Sequence, residues 1–250
     1  MSRLVYGMRP VEELLRSRRD VAALYVAEGE RSPALKAIAE AARGKGLAVS
    51  PRPRQELDAL SGGALHQGVV AVAGDFRYLD VEELVSAITA RLEVPLLLVL
   101  DGVQDPQNLG ALVRSAHVLG AHGLIVPRDR AAPVTPTVVK ASAGATEHTP
   151  IAQCVNLTRA LEQLKAAGIW TVGAIAEGGP DEVDPWGIDF TQPTAIVLGA
   201  EGRGLRPLVA RTCDLRVRIP MAGQVASLNV GAAGAILLYE AARQRSRPSS

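Results

Sequence analysis

The stretch LDGVQDPQNLGALVRSA, residues 100–116, decides how the chain is read. An apolar run opens at Leu96 and ends at Asp101, a polar turn follows, and a helical pattern starts at Pro106. Asp105 before Pro106 is a helix N-cap followed by proline at the first helical position, so the turn joins a strand to a helix. That cap accounts for Asp105 and Pro106, leaves Arg114 as a surface residue and explains Asn108 poorly. Such a turn has no structural use for an amide and a guanidinium at these two positions, which directs attention to the ends of the strands.

Working outward, strands are expected at 96–100, 123–127, 169–174, 195–198 and 215–219, with helical segments between them. A long Ala/Gly/Leu-rich helix is expected from about 225 to 244, and the polar tail 245–250 is expected to be disordered. Strands alternating with helices imply an α/β fold with a mainly parallel sheet covered on both faces. Upstream, the pattern predicts helices at 11–18, 33–43 and 54–60 and strands at 22–27, 47–50 and 68–73, a smaller α/β unit. The expected layout is therefore a small domain over 1–75, a linker and connecting helix over 76–93, and a larger domain over 94–250.

Composition narrows the function classes. With 48% apolar residues in 250 the chain can bury a substantial core. The longest apolar run, 94–100, is far short of the roughly 18 residues of a membrane span. Glu12 and Glu13 argue against a secretory leader, so a cytoplasmic protein is expected. Cys154 and Cys213 lack a CxxC partner or a histidine at ligand spacing and read as buried thiols, with no metal site expected. A net charge of +1, from 27 basic and 26 acidic residues, gives no general electrostatic argument for a polyanionic partner. Basic clusters at Arg16, Arg18 and Arg19, at Arg43 and Lys45, and at Arg52 and Arg54 fit solvated surfaces and an RNA-facing surface equally well. Only 3% of residues are aromatic, which argues against a binder built mainly on base stacking.

Open α/β sheets bind ligands outside the carboxyl ends of their strands, so the other strand-ending turns matter. IVLGAEGRGL, residues 196–205, spaces Gly199, Gly202 and Gly204 as GxxGxG, unlike a dinucleotide fingerprint, and lacks the GK[ST] of a P-loop. Glu201 within it would repel phosphate and suits a cationic or neutral ligand, although a plain glycine turn with a solvated glutamate fits as well. IPMAGQVASLNVGAAGAILLYE, residues 219–240, leads from a strand end into the last helix. Ser227 reads as a cap, whereas Asn229 in an apolar helix would need hydrogen-bond partners. Small residues from Gly231 to Ala235 permit close packing within the subunit or across a dimer.

These three motifs, with HQGVVA at 66–71 and IVPRDRA at 125–131, resemble the SPOUT-class (TrmH/SpoU type) RNA ribose 2'-O-methyltransferases over essentially the whole chain. The resemblance implies a catalytic domain tied in a deep trefoil knot, a rare exception to the rule against threaded loops. It also implies a small N-terminal domain similar to ribosomal protein L30e that binds substrate RNA, and a homodimer with the site near its interface. Within the family the likeness is to enzymes that methylate a guanosine ribose of 23S ribosomal RNA. Carried over by position, Gly199, Ile219, Met221 and Leu228 would hold S-adenosylmethionine, and Asn108, Arg114, Glu201, Ser227 and Asn229 would form the catalytic and RNA-facing set. The family proposes Arg114 as base, yet an arginine, with pKa above about 12, stays protonated. Holding the substrate phosphate and stabilising the developing alkoxide, with Glu201 orienting it, suits Arg114 better. Competing expectations are a transfer-RNA or adenosine-specific rRNA ribose methylase, a protein or small-molecule methyltransferase, and a non-catalytic ribosome assembly factor.

Overall fold

The computed structural model describes residues 2–29, 32–176, 182–224 and 227–246. In chain order the elements are β1 (Ser2–Tyr6), α1 (Met8–Arg16), β2 (Val21–Ala27), α2 (Pro33–Gly44), β3 (Val49–Arg52), α3 (Arg54–Leu60) and β4 (Val69–Gly74). There follow α4 (Val81–Thr89), β5 (Leu96–Asp101), α5 (Pro106–Val118), β6 (Gly123–Pro127), α6 (Pro136–Ala141), β7 (Ile151–Cys154), α7 (Leu157–Ala166) and β8 (Trp170–Ala174). The chain ends with β9 (Glu182–Val183), β10 (Thr194–Gly199), α8 (Pro207–Thr212), β11 (Leu215–Val217) and α9 (Val230–Arg245). Two compact units result, one from Met1–Arg77 with Pro133–His148, the other from Tyr78–Ala132 with Thr149–Ser250.

The first unit is a sheet of order β1-β4-β2-β3, in which β4 runs antiparallel to both neighbours and β3 parallel to β2. Val5, Leu14, Leu24, Ile38, Val69 and, from α6, Val139 share its main core. Tyr6, Ala27, Val70 and Leu57 of α3 form a smaller one. The Glu147 carboxylate, fully buried, accepts from Arg3 Nη1 at 2.9 Å and lies 3.3 Å from Arg19 Nε. Buried charge persists only when paired in this way. The predicted helix at 11–18 begins earlier, at Met8, because Pro10 sits in the first turn, where a missing N–H costs nothing. β1 was not expected from the sequence; it is a short terminal strand stabilised by pairing with β4.

The second unit is a wholly parallel sheet of order β7-β6-β5-β10-β8-β11-β9. From β5 the chain steps outward to β6 and β7, then resumes with β8 on the far side of β10, so the topology reverses at the β5/β10 boundary. α4 and α7 pack on one face, where Leu84, Ile88, Leu161 and Leu164 meet Leu97, Val99, Ile125 and Val197. α9 lies against α5 and β10 on the other. A β-carbon at Gly234 would fall 2.4 Å from Leu112 Cδ2 and 2.8 Å from Leu198 Cδ1, so the glycine lets α9 seat this closely. β5 is buried at every residue, as its uninterrupted apolar run implies. The edge strands β7 and β9 escaped the sequence reading; four and two residues long, they carry too little pattern to register.

The last helix differs from expectation. It begins at Val230, not near 225, and Asn229 rather than Ser227 caps it; Val225 and Ala226 lie outside the described residues. It runs to Arg245, one residue into the expected tail, and residues 247–250 lie outside the described set. β11 likewise stops at Val217, short of the expected Ile219. Cys213 is buried and Cys154 half-buried; burial pushes their thiols up to about 12 and about 11, so both stay protonated at neutral pH. Among the described residues no helix is long and apolar enough to cross a membrane.

Arg245 closes the amino-terminal edge of this sheet. Its guanidinium donates to the carbonyls of Phe190 at 2.7 Å, Val94 at 2.6 Å, Pro95 at 2.8 Å and Gln192 at 2.9 Å. Those carbonyls belong to the segments that enter β5 and β10. Arg245→Ala is expected to destabilise the protein by about 2–3 kcal/mol, since four charge-assisted bonds are lost together. Chemical denaturation followed by circular dichroism measures this, and Arg243→Ala, whose partner is the neighbouring Glu240, is expected to change little.

Candidate active site

The ends of β5 and β10 lie side by side, with Asp101 paired in register to Gly199. The Asp101 side chain is fully buried and accepts from Arg206 N at 2.8 Å and from Arg206 Nε at 2.7 Å, tying the turn after β10 to the end of β5. The chain then leaves β5 through Gly102, at φ 82°, and Asp105 caps α5 by accepting from Gln107 N and Asn108 N at 3.1 and 3.3 Å. Asn108 therefore stands in the first turn of α5 and is buried.

The turn after β10 doubles back sharply: Gly204 N donates to Ala200 O at 2.9 Å. A β-carbon at Gly199 would lie 2.0 Å from Gly204 C and 2.3 Å from Leu205 N, a close approach that only glycine allows. This crossing carries Glu201 to the face where α9 begins.

Asn229 draws the three turns together. As N-cap of α9 its Oδ1 accepts from Gly231 N at 2.9 Å and Ala232 N at 3.3 Å. Its Nδ2 donates to Asn108 Oδ1 at 2.9 Å and to Glu201 Oε1 at 2.5 Å. The sequence placed Asn229 inside an apolar helix; instead it precedes the helix and is exposed, with both ends of its amide engaged. Glu201 thus meets Asn229 and not Arg114, which is exposed on α5 and has no hydrogen-bond or ion-pair partner among the described residues. Ser227 is exposed just ahead of Asn229, likewise without a hydrogen-bond partner among the described residues.

Beside this polar node lies apolar surface. Ile219 and Met221, beyond the end of β11, are half-buried, and Leu228 is 40% exposed. A carboxylate-bearing glycine turn that brings backbone close, next to part-exposed apolar side chains, fits S-adenosylmethionine, which carries a sulfonium cation and no phosphate. Among the described residues no group of three or more His, Cys, Asp or Glu side chains is arranged to hold a metal ion. The sequence reading missed the Asp101–Arg206 tie. Its one local signal is the acidic residue that ends an otherwise apolar strand; nothing near Asp101 in sequence points to a partner at 206.

A parallel α/β sheet with a polar node and an apolar rim at its carboxyl edge, on the topological switch, defines an enzyme that works on a bound small cofactor. Residues 95–239 match the SpoU rRNA Methylase family, and residues 4–79 match the RNA 2'-O ribose methyltransferase substrate-binding domain. The chain belongs to the SpoU methylase family, which acts with S-adenosylmethionine as RNA 2'-O-ribose methyltransferases. It is 43% identical over 244 residues to the 23S rRNA (guanosine-2'-O-)-methyltransferase RlmB of Pseudomonas syringae, covering 97% of this chain and 96% of that protein. Among solved structures it is similar to the SpoU methyltransferase AviRb of Streptomyces viridochromogenes in complex with AdoMet. The TM-score is 0.79 and the identity 32%, over 98% of this chain and 90% of AviRb. An AdoMet-bound rRNA methyltransferase of Sinorhizobium meliloti matches at a TM-score of 0.78 and 26% identity, over 97% and 87% of the two chains.

Gly199→Ala is expected to abolish binding of S-adenosylmethionine while leaving the first unit folded, because the added carbon displaces the backbone of the 200–204 turn. Isothermal titration with S-adenosylhomocysteine measures the loss, and a variant that still binds with wild-type affinity would show that the turn tolerates the carbon.

Proposed function

We propose that this chain transfers a methyl group from S-adenosylmethionine to the 2'-hydroxyl of a guanosine ribose in 23S ribosomal RNA. The observation that carries the reading is the node in which Asn229 joins Asn108 and Glu201 at the carboxyl edge. Full-length similarity to proteins named for that activity supports the substrate.

When bound, the cofactor supplies an electrophilic methyl group. Gly199, Ile219, Met221 and Leu228 bind it through backbone and apolar contacts. Asn108, Glu201 and Asn229 form a prearranged frame for the ribose, and alignment of this kind supplies much of the acceleration. Ser227 donates to or accepts from the incoming nucleotide. Arg114, permanently charged and without a partner among the described residues, holds the substrate phosphate and stabilises the developing alkoxide as the hydroxyl gives its proton to solvent water at this exposed edge.

Residues 1–75 serve as the L30e-like RNA-binding domain, 76–93 as connection and 94–250, apart from the Pro133–His148 segment that packs into the first unit, as the knotted methyltransferase domain. The enzyme works in the cytoplasm as a homodimer. Ala232, Ile236 and Tyr239 line the outer side of α9, and Ala111 and Val118 are exposed on α5 beside it, a face that a second copy would cover. Arg114 shares that exposed side of α5, so the site lies near the dimer interface.

Incubation with labelled S-adenosylmethionine is expected to methylate one guanosine in protein-free 23S rRNA and nothing in bulk tRNA, as mapped by nuclease digestion. Methylation of tRNA alone would replace the substrate. Arg114→Lys is expected to slow turnover about 10²-fold with a pH–rate profile parallel to wild type, as befits an electrostatic role and not a base. Ile236→Glu with Tyr239→Glu is expected to yield monomers in sedimentation equilibrium, because two charges would enter an apolar contact.

A further inference from the structure

One motif of the sequence, IVPRDRA at 125–131, has no part in the site described so far. It continues β6 past its carboxyl end, and β6 is the neighbour of β5 on the side away from β10. Arg128 and Arg130 are both exposed, and neither side chain has an ion-pair or hydrogen-bond partner among the described residues. Two backbone bonds hold the turn that carries them: Arg128 N donates to Cys154 O at 2.8 Å and Ala132 N to Val103 O at 2.9 Å. The second of these ties the motif to the turn that leaves β5 for Asn108.

The same turn touches the glycine loop after β10. A β-carbon at Gly102 would lie 3.7 Å from the Arg130 carbonyl oxygen and 3.9 Å from Ala200 Cβ, so the two arginine-bearing loops flank Gly102. The loop after β10 contributes Arg203, exposed between left-handed Gly202 and Gly204 and unpartnered among the described residues, and Arg206. The acidic groups of this edge are Asp101, buried on Arg206; Asp105, exposed and accepting from the first N–H groups of α5; Glu201, engaged by Asn229; and Asp129, exposed. Three of the four carboxylates are thus already engaged, while the side chains of Arg128, Arg130 and Arg203, unpartnered among the described residues, can meet an outside anion.

Arg130 adds an independent sign. Its φ is 59°, the left-handed region in which a side-chain-bearing residue is strained and glycine is not. Exposed as it is, it fills no core space there. Strain retained at an exposed position points to a use for the side chain.

We infer that Arg128, Arg130 and Arg203 form a phosphodiester-binding rim along the carboxyl edge, which grips the RNA strand flanking the target ribose and sets its path across the Asn108–Glu201–Asn229 node. The inference rests on the RNA methyltransferase reading. Guanidinium groups suit phosphate through paired N–H donors, and a row of them tracks a backbone without reading sequence. The rim therefore governs RNA affinity and register, not choice of base.

The test is filter binding of a protein-free 23S rRNA transcript to the full-length protein, loaded with S-adenosylhomocysteine, over a range of salt. For single strands each phosphate contact adds about 0.7 to the slope of log K against log salt. Arg128→Ala with Arg130→Gly is expected to flatten the slope by about 1.4 and weaken binding roughly tenfold at physiological salt. S-adenosylhomocysteine affinity should stay at the wild-type value, and the melting temperature should hold or rise because Arg130→Gly relieves the left-handed strain. Arg91→Ala, exposed where the chain approaches the amino end of β5, is expected to leave slope and affinity alone. An unchanged slope in the double variant would overturn the rim. So would an equal loss in Arg91→Ala, or a fall in cofactor affinity or melting temperature that accompanies the RNA defect. Wild-type protein that binds RNA through these arginines yet methylates neither rRNA nor tRNA would overturn the catalytic reading and leave the rim standing.

Discussion

The buried carboxylate of Asp101 is the constraint on which the carboxyl edge of the larger sheet depends. A charge removed from water is costly unless it is paired and hydrogen-bonded, and both of its oxygens are occupied by the backbone and side chain of Arg206. Because β5 and β10 run in register from Leu96 and Thr194 to Asp101 and Gly199, the tie fixes two turns at one level. Only then do Asn108, in the first turn of α5, and Glu201, in the turn after β10, come within reach of a single amide. Removal of the Arg206 side chain would leave the carboxylate with its backbone donor alone.

A second economy of the structure is that a helix cap, Asn229, doubles as a residue of the candidate site. Asp105 does only what a cap does: it satisfies two free N–H groups and sets the first turn of α5. Asn229 does this with its oxygen and uses its nitrogen to join Asn108 and Glu201. The start of α9 and the geometry of the node are therefore one event, and the close seating of Gly234 against Leu112 and Leu198 keeps that start in place. Rigidity is supplied by packing behind the node rather than by further contacts at it. The node itself stays open to solvent and to a substrate.

Much of this was legible in the chain. Strong local signals, such as the buried run of β5, the Asp105–Pro106 cap and the glycine spacing after β10, located the central strands and the turns that hold the candidate residues. Positions decided by partners far away in sequence were not legible. β1, β7 and β9 are short segments stabilised by their neighbours in a sheet, and propensity carries little weight in so few residues. Pro133–His148 reads as continuous with the larger unit, yet it belongs to the first, where Val139 enters the core and Glu147 accepts from Arg3. The start of α9 was misplaced because alanine, serine and leucine before Asn229 look as helical as the residues after it.

By itself, then, the sequence determined an α/β chain in two parts, the turns that carry the candidate residues and the residue types available there. These follow from hydrophobic periodicity, capping and glycine spacing, all of which act over a few residues. The tertiary structure alone decided which side chains meet. Glu201 pairs with Asn229, 28 residues on, and leaves Arg114 without a partner among the described residues, while Asp101 finds Arg206, 105 residues on, and Asn108 finds Asn229, 121 residues on, because the order of parallel strands brings their turns together. Strand order is set by the packing of whole faces, and no local pattern encodes it.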